Sequence, residues 1–449
     1  MLQTTSDNMI RFLQISDIHF ANVAGGDDEY RQMKCKFLED IAECHQEIGR
    51  IDHILICGDI AFSGTEAQYK EAKSFIAQIS ESTGCTDGHP FVVPGNHDKK
   101  RDVYSRARQT MRGALLNGKN TQQLLTSKVK EPMAVGILYA PFKQYNKFAS
   151  DNSCISDVGR KSLYFPESDQ ETGVVPRFES NDAFFWTEPI GELGGMSVII
   201  HGSNSALLSD KDDGESHNMK EGQHLQVLPL QAYNIEAKEN EIHLLMLHHP
   251  LSEIMEKEDL ETKIDNLFRL QLYGHIHKQS SSSGDAIHIY SGALQPPEAD
   301  ENKEYFPVYN VLEMDVVEEG GQPCLKVDVF CRKWDGAKFD EYPEETKTGD
   351  KALKVKLPIN DAWERTKKRK EAGKHDTGNM EVAALTVYPH AVKHRFLQSG
   401  KEGKIIKKMY GDRFESITPN RMKYLEFLKQ VEVEGKMNEL NDILKSYGK

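Results

Sequence analysis

Five short polar signals punctuate this chain, each directly after an apolar run: Asp17-Ile18-His19, Gly58-Asp59, Gly95-Asn96-His97-Asp98, His248-His249 and Gly274-His275-Ile276-His277. Singly, each has an ordinary explanation. An Asp after a strand commonly caps a helix or forms a turn, and a lone His is commonly a hydrogen-bonded structural residue. Together they offer carboxylates, imidazoles and one amide oxygen, the donors of borderline to hard divalent ions such as manganese, iron or zinc. No thiolate accompanies them, which argues against a structural zinc site. Two such ions about 3.5–4 Å apart repel strongly and need a shared anionic ligand. Asp59, at the end of a central strand, is placed to bridge them. The glycines before Asp59 and Asn96 are expected to permit tight backbone turns that aim these ligands inward.

The elements around the signals read as alternating strands and helices. Ile10–Ile15, His53–Cys57 and Phe91–Val93 are short apolar strands, and Tyr30–Gly49 and Ala67–Ser82 between them have helical spacing of apolar residues. This order predicts βαβ units and a largely parallel sheet, with ligands at the carboxyl ends of its strands. Residues 99–190 break the rhythm. Arg101–Leu125 has helical spacing, Phe142–Ser150 is a further helix candidate, and the rest is irregular, which suggests an insertion covering the edge of the site. The pattern resumes with strands at Met196–His201, Ile242–Leu247 and Leu270–Tyr273. Ile287–Tyr290, Tyr309–Val316 and Leu325–Cys331 suit a second, antiparallel layer, the last two joined through Gly320-Gly321. The expected fold is an α/β (α+β) sandwich, a two-layer sheet core flanked by helices. It spans residues 8–340 and is followed by a polar linker over 341–393. A small all-helical domain then covers 394–449, with Leu425, Phe427, Leu428, Val431, Leu440, Ile443 and Leu444 as its core.

The chain has 449 residues, which suits one large domain with an appendage, or two domains. No apolar run approaches the roughly 18 residues that cross a bilayer. The N-terminal stretch lacks a basic segment followed by an apolar one, so a cytoplasmic address is expected. Seven cysteines without a CxxC pair argue against a disulfide framework. The net charge of −14 is unevenly spread, with residues 351–449 carrying +9 and the rest −23. A basic tail on an acidic body invites a polyanionic or protein partner.

In order and form, the motifs D-x-H, G-D, G-N-H-D, H-H-P and G-H-x-H resemble the calcineurin-like metallophosphoesterase superfamily. The resemblance covers roughly residues 8–335, less the insertion. It implies a four-layer fold and two divalent transition metal ions, with manganese favoured over iron or zinc. One ion would be held by Asp17, His19, Asp59 and His277, the other by Asp59, Asn96, His248 and His275. A metal-activated hydroxide would attack phosphorus in line. His97 would donate to a phosphoryl oxygen or the leaving group, with Asp98 as its orienter. His249 would line the substrate pocket, and His201 and Asn204, at another strand end, are lesser candidates.

The His-His-Pro and Gly-His-Ile-His forms are similar to the phosphodiesterase and repair-exonuclease branches, which implies a nucleic acid or nucleotide substrate. A phosphomonoesterase is the alternative. However, phosphoprotein phosphatases carry Arg near their Gly-Asp motif, where this chain has Ile60-Ala61-Phe62-Ser63. The stretch from Phe427 to Leu440 resembles effector-associated helical modules of bacterial conflict systems. That likeness implies a protein-docking adaptor and a role in antiviral defence.

Overall fold

The computed structural model describes residues 9–20, 31–85, 90–100, 106–116, 134, 137–138, 140–151, 185–209, 235–255, 257–295, 306–342, 353–373, 402–411, 413–414, 427–428, 430–431, 434 and 436–446. Its first sheet begins with β1 (Ile10–Ile15), β2 (His53–Ile56) and β3 (Phe91–Val92), paired in parallel. Between them run α1 (Arg31–Ile48) and α2 (Glu66–Ser82). Helix α2 starts at a capping box in which Thr65 and Gln68 satisfy each other's backbone donors. The second sheet has the order β4-β5-β6-β7-β9-β8. It contains β4 (Phe185–Leu193), β5 (Met196–Ser203), β6 (Glu241–Met246), β7 (Phe268–Tyr273), β8 (Ser280–Ser283) and β9 (Ile287–Tyr290).

The strands are partitioned differently from the expectation. β9 pairs in parallel with β7 in the second sheet. β10 (Val308–Glu319) and β11 (Gln322–Trp334) join the first sheet instead, because Ile10–Gln14 of β1 pairs antiparallel with Asn310–Met314. Gly320 and Gly321, both with positive φ, make the hairpin turn. Beyond it lie β12 (Phe339–Glu341), β13 (Leu353–Lys356), which pairs with β11, and α6 (Asp361–Gly373). The stretch 341–393 is therefore not uniformly linker, because β13 and most of α6 belong to the same compact unit as the sheets. Asn360, before α6, donates to the Glu239 carbonyl at 2.6 Å, and Lys367 pairs with Glu318 at 2.9 Å.

The two sheets share one apolar core, with Phe12, Leu55 and Leu312 from the first and Val198, Leu244 and Leu270 from the second. Strand periodicity builds the next layer. On β6, Leu244 and Met246 enter the shared core, while Leu245 and the following Leu247 pack with Leu260 and Ile264 of α5 (Lys257–Leu267). On the first sheet, Phe37 of α1 meets Tyr309 of β10 and Phe75 of α2. The result is the four-layer α/β sandwich. Asp40 ties α1 to the sheet by accepting from Arg332 Nε at 3.0 Å and from the Tyr309 hydroxyl.

Within the stretch expected as an insertion, the described residues include α3 (Arg106–Leu116) and α4 (Lys143–Asp151). They also include the start of β4, an edge strand that the sequence pattern did not signal. Apart from residues 99–100, 134 and 137–138 and a short 3-10 turn at Ala140–Phe142, the remainder of that stretch lies outside the described residues. Residues 370–449 belong to a second compact unit. There α7 (Glu402–Tyr410) and α8 (Met437–Ser446) bury Ile405, Ile406, Leu440, Ile443 and Leu444 with Phe414, Phe427, Leu428 and Val431. The core expected from the sequence is present, except Leu425, which is outside the described residues. No described helix is long and apolar enough to cross a membrane. The six described cysteines form no disulfide with one another.

Candidate metal centre

Every motif falls just past the carboxyl end of a strand: Asp17 and His19 after β1, Asp59 after β2, Asn96 and His97 after β3, His248 after β6, His275 and His277 after β7. The first three strands belong to one sheet and the last two to the other, so the site straddles both. Among the described residues, five other than glycine have positive φ: Asp17, His19, Asp59, His275 and His277. Left-handed backbone is costly for such residues and clusters where function holds it. Here it turns each side chain back across the strand ends.

The two carboxylates are held in the same way. Asp59 Oδ1 accepts from His97 N at 2.7 Å, while Oδ2 lies 3.3 Å from both His19 Nε2 and His248 Nε2. Asp17 Oδ2 accepts from His275 N at 3.1 Å, while Oδ1 lies 3.2 Å from His277 Nε2. In each case a backbone N–H fixes one oxygen and the other faces imidazoles. Glycines make this approach feasible. Gly58 has φ 94°, as the tight-turn expectation requires, and a Cβ there would also meet His248 Nδ1 at 2.4 Å. Gly95 has no positive φ; it is needed because a Cβ would sit 2.1 Å from Asp59 Oδ1.

The imidazoles are oriented by acceptors. His19 Nδ1 faces the Gln295 carbonyl at 3.2 Å, and His248 Nδ1 faces the Cys57 carbonyl at 2.8 Å. A carbonyl only accepts, so these nitrogens each carry a proton, and Nε2 is the ring atom turned inward. His275 is turned the other way. Its Nε2 lies 3.2 Å from Glu253 Oε2, which leaves Nδ1 as its inward atom. His275 Nδ1 then faces His248 Nε2 at 3.3 Å, and His248 Nε2 faces Asn96 Oδ1 at 3.1 Å.

Carboxylate oxygens, an amide oxygen and imidazole nitrogens converge on one spot, and this donor set fits divalent metals, which would take the place of protons on the inward nitrogens. The ligand-capable atoms of Asp17, His19 and His277 lie within 4.8 Å of one another, as do those of Asp17, Asp59 and His248 and those of His248, His249 and His275. The electrostatics agree. Burial opposes charge on Asp59, yet His248, His97 and His19 hold its carboxyl well below the usual range. Burial likewise disfavours the His248 imidazolium, but Asp59 and Asp17 lift it to about 10. Asp59 and Asp17 thus stabilise positive charge on the imidazole beside them.

Two expectations change. Asp98 does not orient His97; the His97 ring places Nδ1 2.9 Å from the Phe62 carbonyl instead. The Asp98 carboxylate accepts from Ile60 N at 3.2 Å, Ala61 N at 2.9 Å, Gly95 N at 3.0 Å and Tyr69 Oη at 2.9 Å. It therefore clamps the loop after β2 to the loop after β3. Burial, followed by the nearby Asp59 charge, pushes its carboxyl up to about 6. His201 and Asn204 are not in the cluster. His201 hydrogen-bonds Thr187 Oγ1 and His243 Nδ1, each at 2.9 Å, and Asn204 Oδ1 accepts from Ala206 N. His249 does reach the site, with Nδ1 2.9 Å from Ser205 Oγ and Nε2 without a hydrogen bond among the described residues. Glu253 carried no sequence signal: it is one of many acidic residues, and only the fold sets it against His275.

The family model for calcineurin-like phosphoesterases matches residues 10–279. The chain belongs to this family, which implies a dinuclear divalent metal site. A curated relative, the metallophosphoesterase-like protein YydB of Bacillus subtilis (strain 168), is 25% identical over 295 residues, 64% of this chain and 53% of YydB. The chain thus spans about half the length of that relative. Among solved structures, zinc-complexed Vps29 from Entamoeba histolytica has 10% identity and a TM-score of 0.29, with 78% of this chain and all of that chain covered. A Streptococcus pneumoniae TIGR4 protein titled a predicted phosphoesterase has 12% identity and a TM-score of 0.26, with 75% and 99% covered.

Proposed function

We propose that this chain hydrolyses phosphodiesters of nucleotides or nucleic acid with two divalent metal ions. The observation that carries the reading is the place of Asp59, whose Oδ2 stands 3.3 Å from an imidazole on either side. Asp17, His19, Asp59 and His277 would hold one ion, and Asp59, Asn96, His248 and His275 the other. His248 is favoured over His249 as ligand because its Nε2, and not a His249 nitrogen, faces Asp59 and Asn96. Manganese suits this oxygen and nitrogen set.

When bound, such ions supply Lewis acidity to the phosphoryl oxygens and lower the pKa of a water nucleophile. The protein's own residues do the rest. The Phe62 carbonyl accepts from His97 Nδ1, so Nε2 faces away from it and serves a phosphoryl or leaving-group oxygen. Asp98 keeps the His97 and Asp59 loops in register. His249 lines the pocket; burial, together with His275 and His248 beside it, holds it far below its ordinary pKa and so neutral.

The test is hydrolysis of bis(4-nitrophenyl) phosphate against 4-nitrophenyl phosphate, and of single- against double-stranded DNA, with manganese present. Faster cleavage of the diester is expected. A protein that cleaves only the monoester would overturn the diester reading in favour of a phosphomonoesterase.

A further inference from the structure

Among the described residues, four large apolar side chains stand substantially exposed: Phe62, Phe306, Phe330 and Ile359. Phe62, 44% exposed, is at the candidate metal centre. Its ring centroid lies 5.2 Å from that of His97, tilted by 40°, and 6.2 Å from that of His19. The Phe62 and His97 rings therefore stand together beside the candidate ligand His19.

The backbone beneath this ring is fixed from several sides. Phe62 N donates to the Phe20 carbonyl at 3.0 Å, and the Phe62 carbonyl faces His97 Nδ1 at 2.9 Å. Ala61 is bridged to Phe20, and Asp98 accepts from its N–H. Ser63 N donates to Gln68 Oε1 at 3.1 Å, within the cap of α2. None of these bonds uses the phenyl ring. The backbone bonds hold the loop, and the ring, 44% exposed, stands 5.2 Å from the ring of the proposed proton donor.

A large exposed apolar side chain at the rim of a polar site is a recognition feature. Its shape identifies the class of ligand. A phenyl face beside an imidazole offers a flat π surface, which a planar ring covers better than a sugar or an alkyl chain does. In sequence, Asp59 is followed by Ile60-Ala61-Phe62-Ser63, which places an aromatic ring rather than an Arg next to this motif.

We propose that Phe62 is a stacking platform for the nucleobase attached to the phosphate, so that the site prefers nucleotides over esters of non-aromatic alcohols. This rests on the phosphodiester reading and narrows its substrate class.

The experiment compares the affinity of the manganese-loaded protein for adenosine 5′-monophosphate and for ribose 5-phosphate, which differ only by the base. Calorimetry is run on the wild type, Phe62→Ala and Phe62→Trp. The wild type should favour the nucleotide. Phe62→Ala should shrink that preference about tenfold, within the range that one aromatic–base stack supplies. Phe62→Trp should retain it. A wild-type ratio near one, or a ratio unchanged in Phe62→Ala, would overturn the platform. Turnover of adenosine 2′,3′-cyclic phosphate and of glycerol cyclic phosphate is measured in parallel. If neither is hydrolysed while the binding ratio still falls in Phe62→Ala, the platform stands and the hydrolytic reading fails.

Discussion

Gly95 and Asp59 are in contact through the absence of a side chain: a Cβ on Gly95 would lie 2.1 Å from Asp59 Oδ1 and 2.6 Å from Asp59 N. That oxygen is the one fixed by His97 N, so its position determines where Oδ2 points. Gly95→Ala should therefore displace the Asp59 carboxylate and lower metal content, although no ligand is removed. Elemental analysis of the folded variant checks this, with a thermal melt to establish that it is folded. Two ions per chain at wild-type affinity would contradict it.

Asp59 should differ from the other ligands in kind. Its Oδ2 stands 3.3 Å from both His19 Nε2 and His248 Nε2, so if it bridges the two ions Asp59→Asn should weaken both. His277→Ala should weaken only one, because its Nε2 faces Asp17. Calorimetric titration with manganese separates the two outcomes. Undiminished turnover and full dimetal occupancy in Asp59→Asn would refute the bridging role.

Glu253 holds the His275 ring with Nδ1 inward. Outer partners of ligating histidines commonly contribute about 10–100-fold in metal affinity. Glu253→Ala should cost that much at one site of two, and Glu253→Gln, which keeps an acceptor oxygen, should recover part of it. Unchanged affinity in Glu253→Ala would leave the contact without consequence for the metal.

His97 uses a backbone N–H, not its ring, to hold Asp59. His97→Ala keeps that N–H, so it should keep its metals and lose rate, by about 10²–10⁴-fold if the ring acts as a general acid. The loss should grow as the leaving group becomes more basic. Equal losses for nitrophenyl and alkyl esters would mean that the ring only stabilises phosphoryl charge.

Residues 370–449 form their own compact unit, and among the described residues none of the clustered donors belongs to it. A chain ending at Gly378 retains α6 with its Lys367–Glu318 contact. It should hydrolyse a small diester at nearly the intact rate. It should also lose affinity for long nucleic acid or for a co-purifying protein, because the removed residues 379–449 carry 13 Lys+Arg against 9 Asp+Glu, or +4, on an otherwise acidic chain. Any binding to nucleic acid by the intact protein should weaken steeply with salt. A truncated chain that fails to cleave the small diester would place the tail within the catalytic unit.

The candidate ligands were legible in the sequence because each belongs to a local signal, an apolar strand that stops at a polar turn. Such a signal needs only neighbours in the chain. The strands β1, β2, β6 and β7, the helix α2 and the buried side chains of α8 were legible for the same reason, through their periodicity. What the sequence left open depends on partners far along the chain. β10 lies beside β1 because Phe12 and Leu312 adopt the same register, a choice that neither strand's pattern announces. Asp98 clamps loops through Ala61 and Tyr69 rather than orienting the adjacent His97, Glu253 meets His275 across a turn and a helix, and Phe62 is exposed where its neighbours Ile60 and Ala61 are buried. Residue type and spacing thus determined which atoms can bind metal. Tertiary packing decided which of them face one another, because only the packed sheets bring the ends of β1, β2 and β3 to those of β6 and β7.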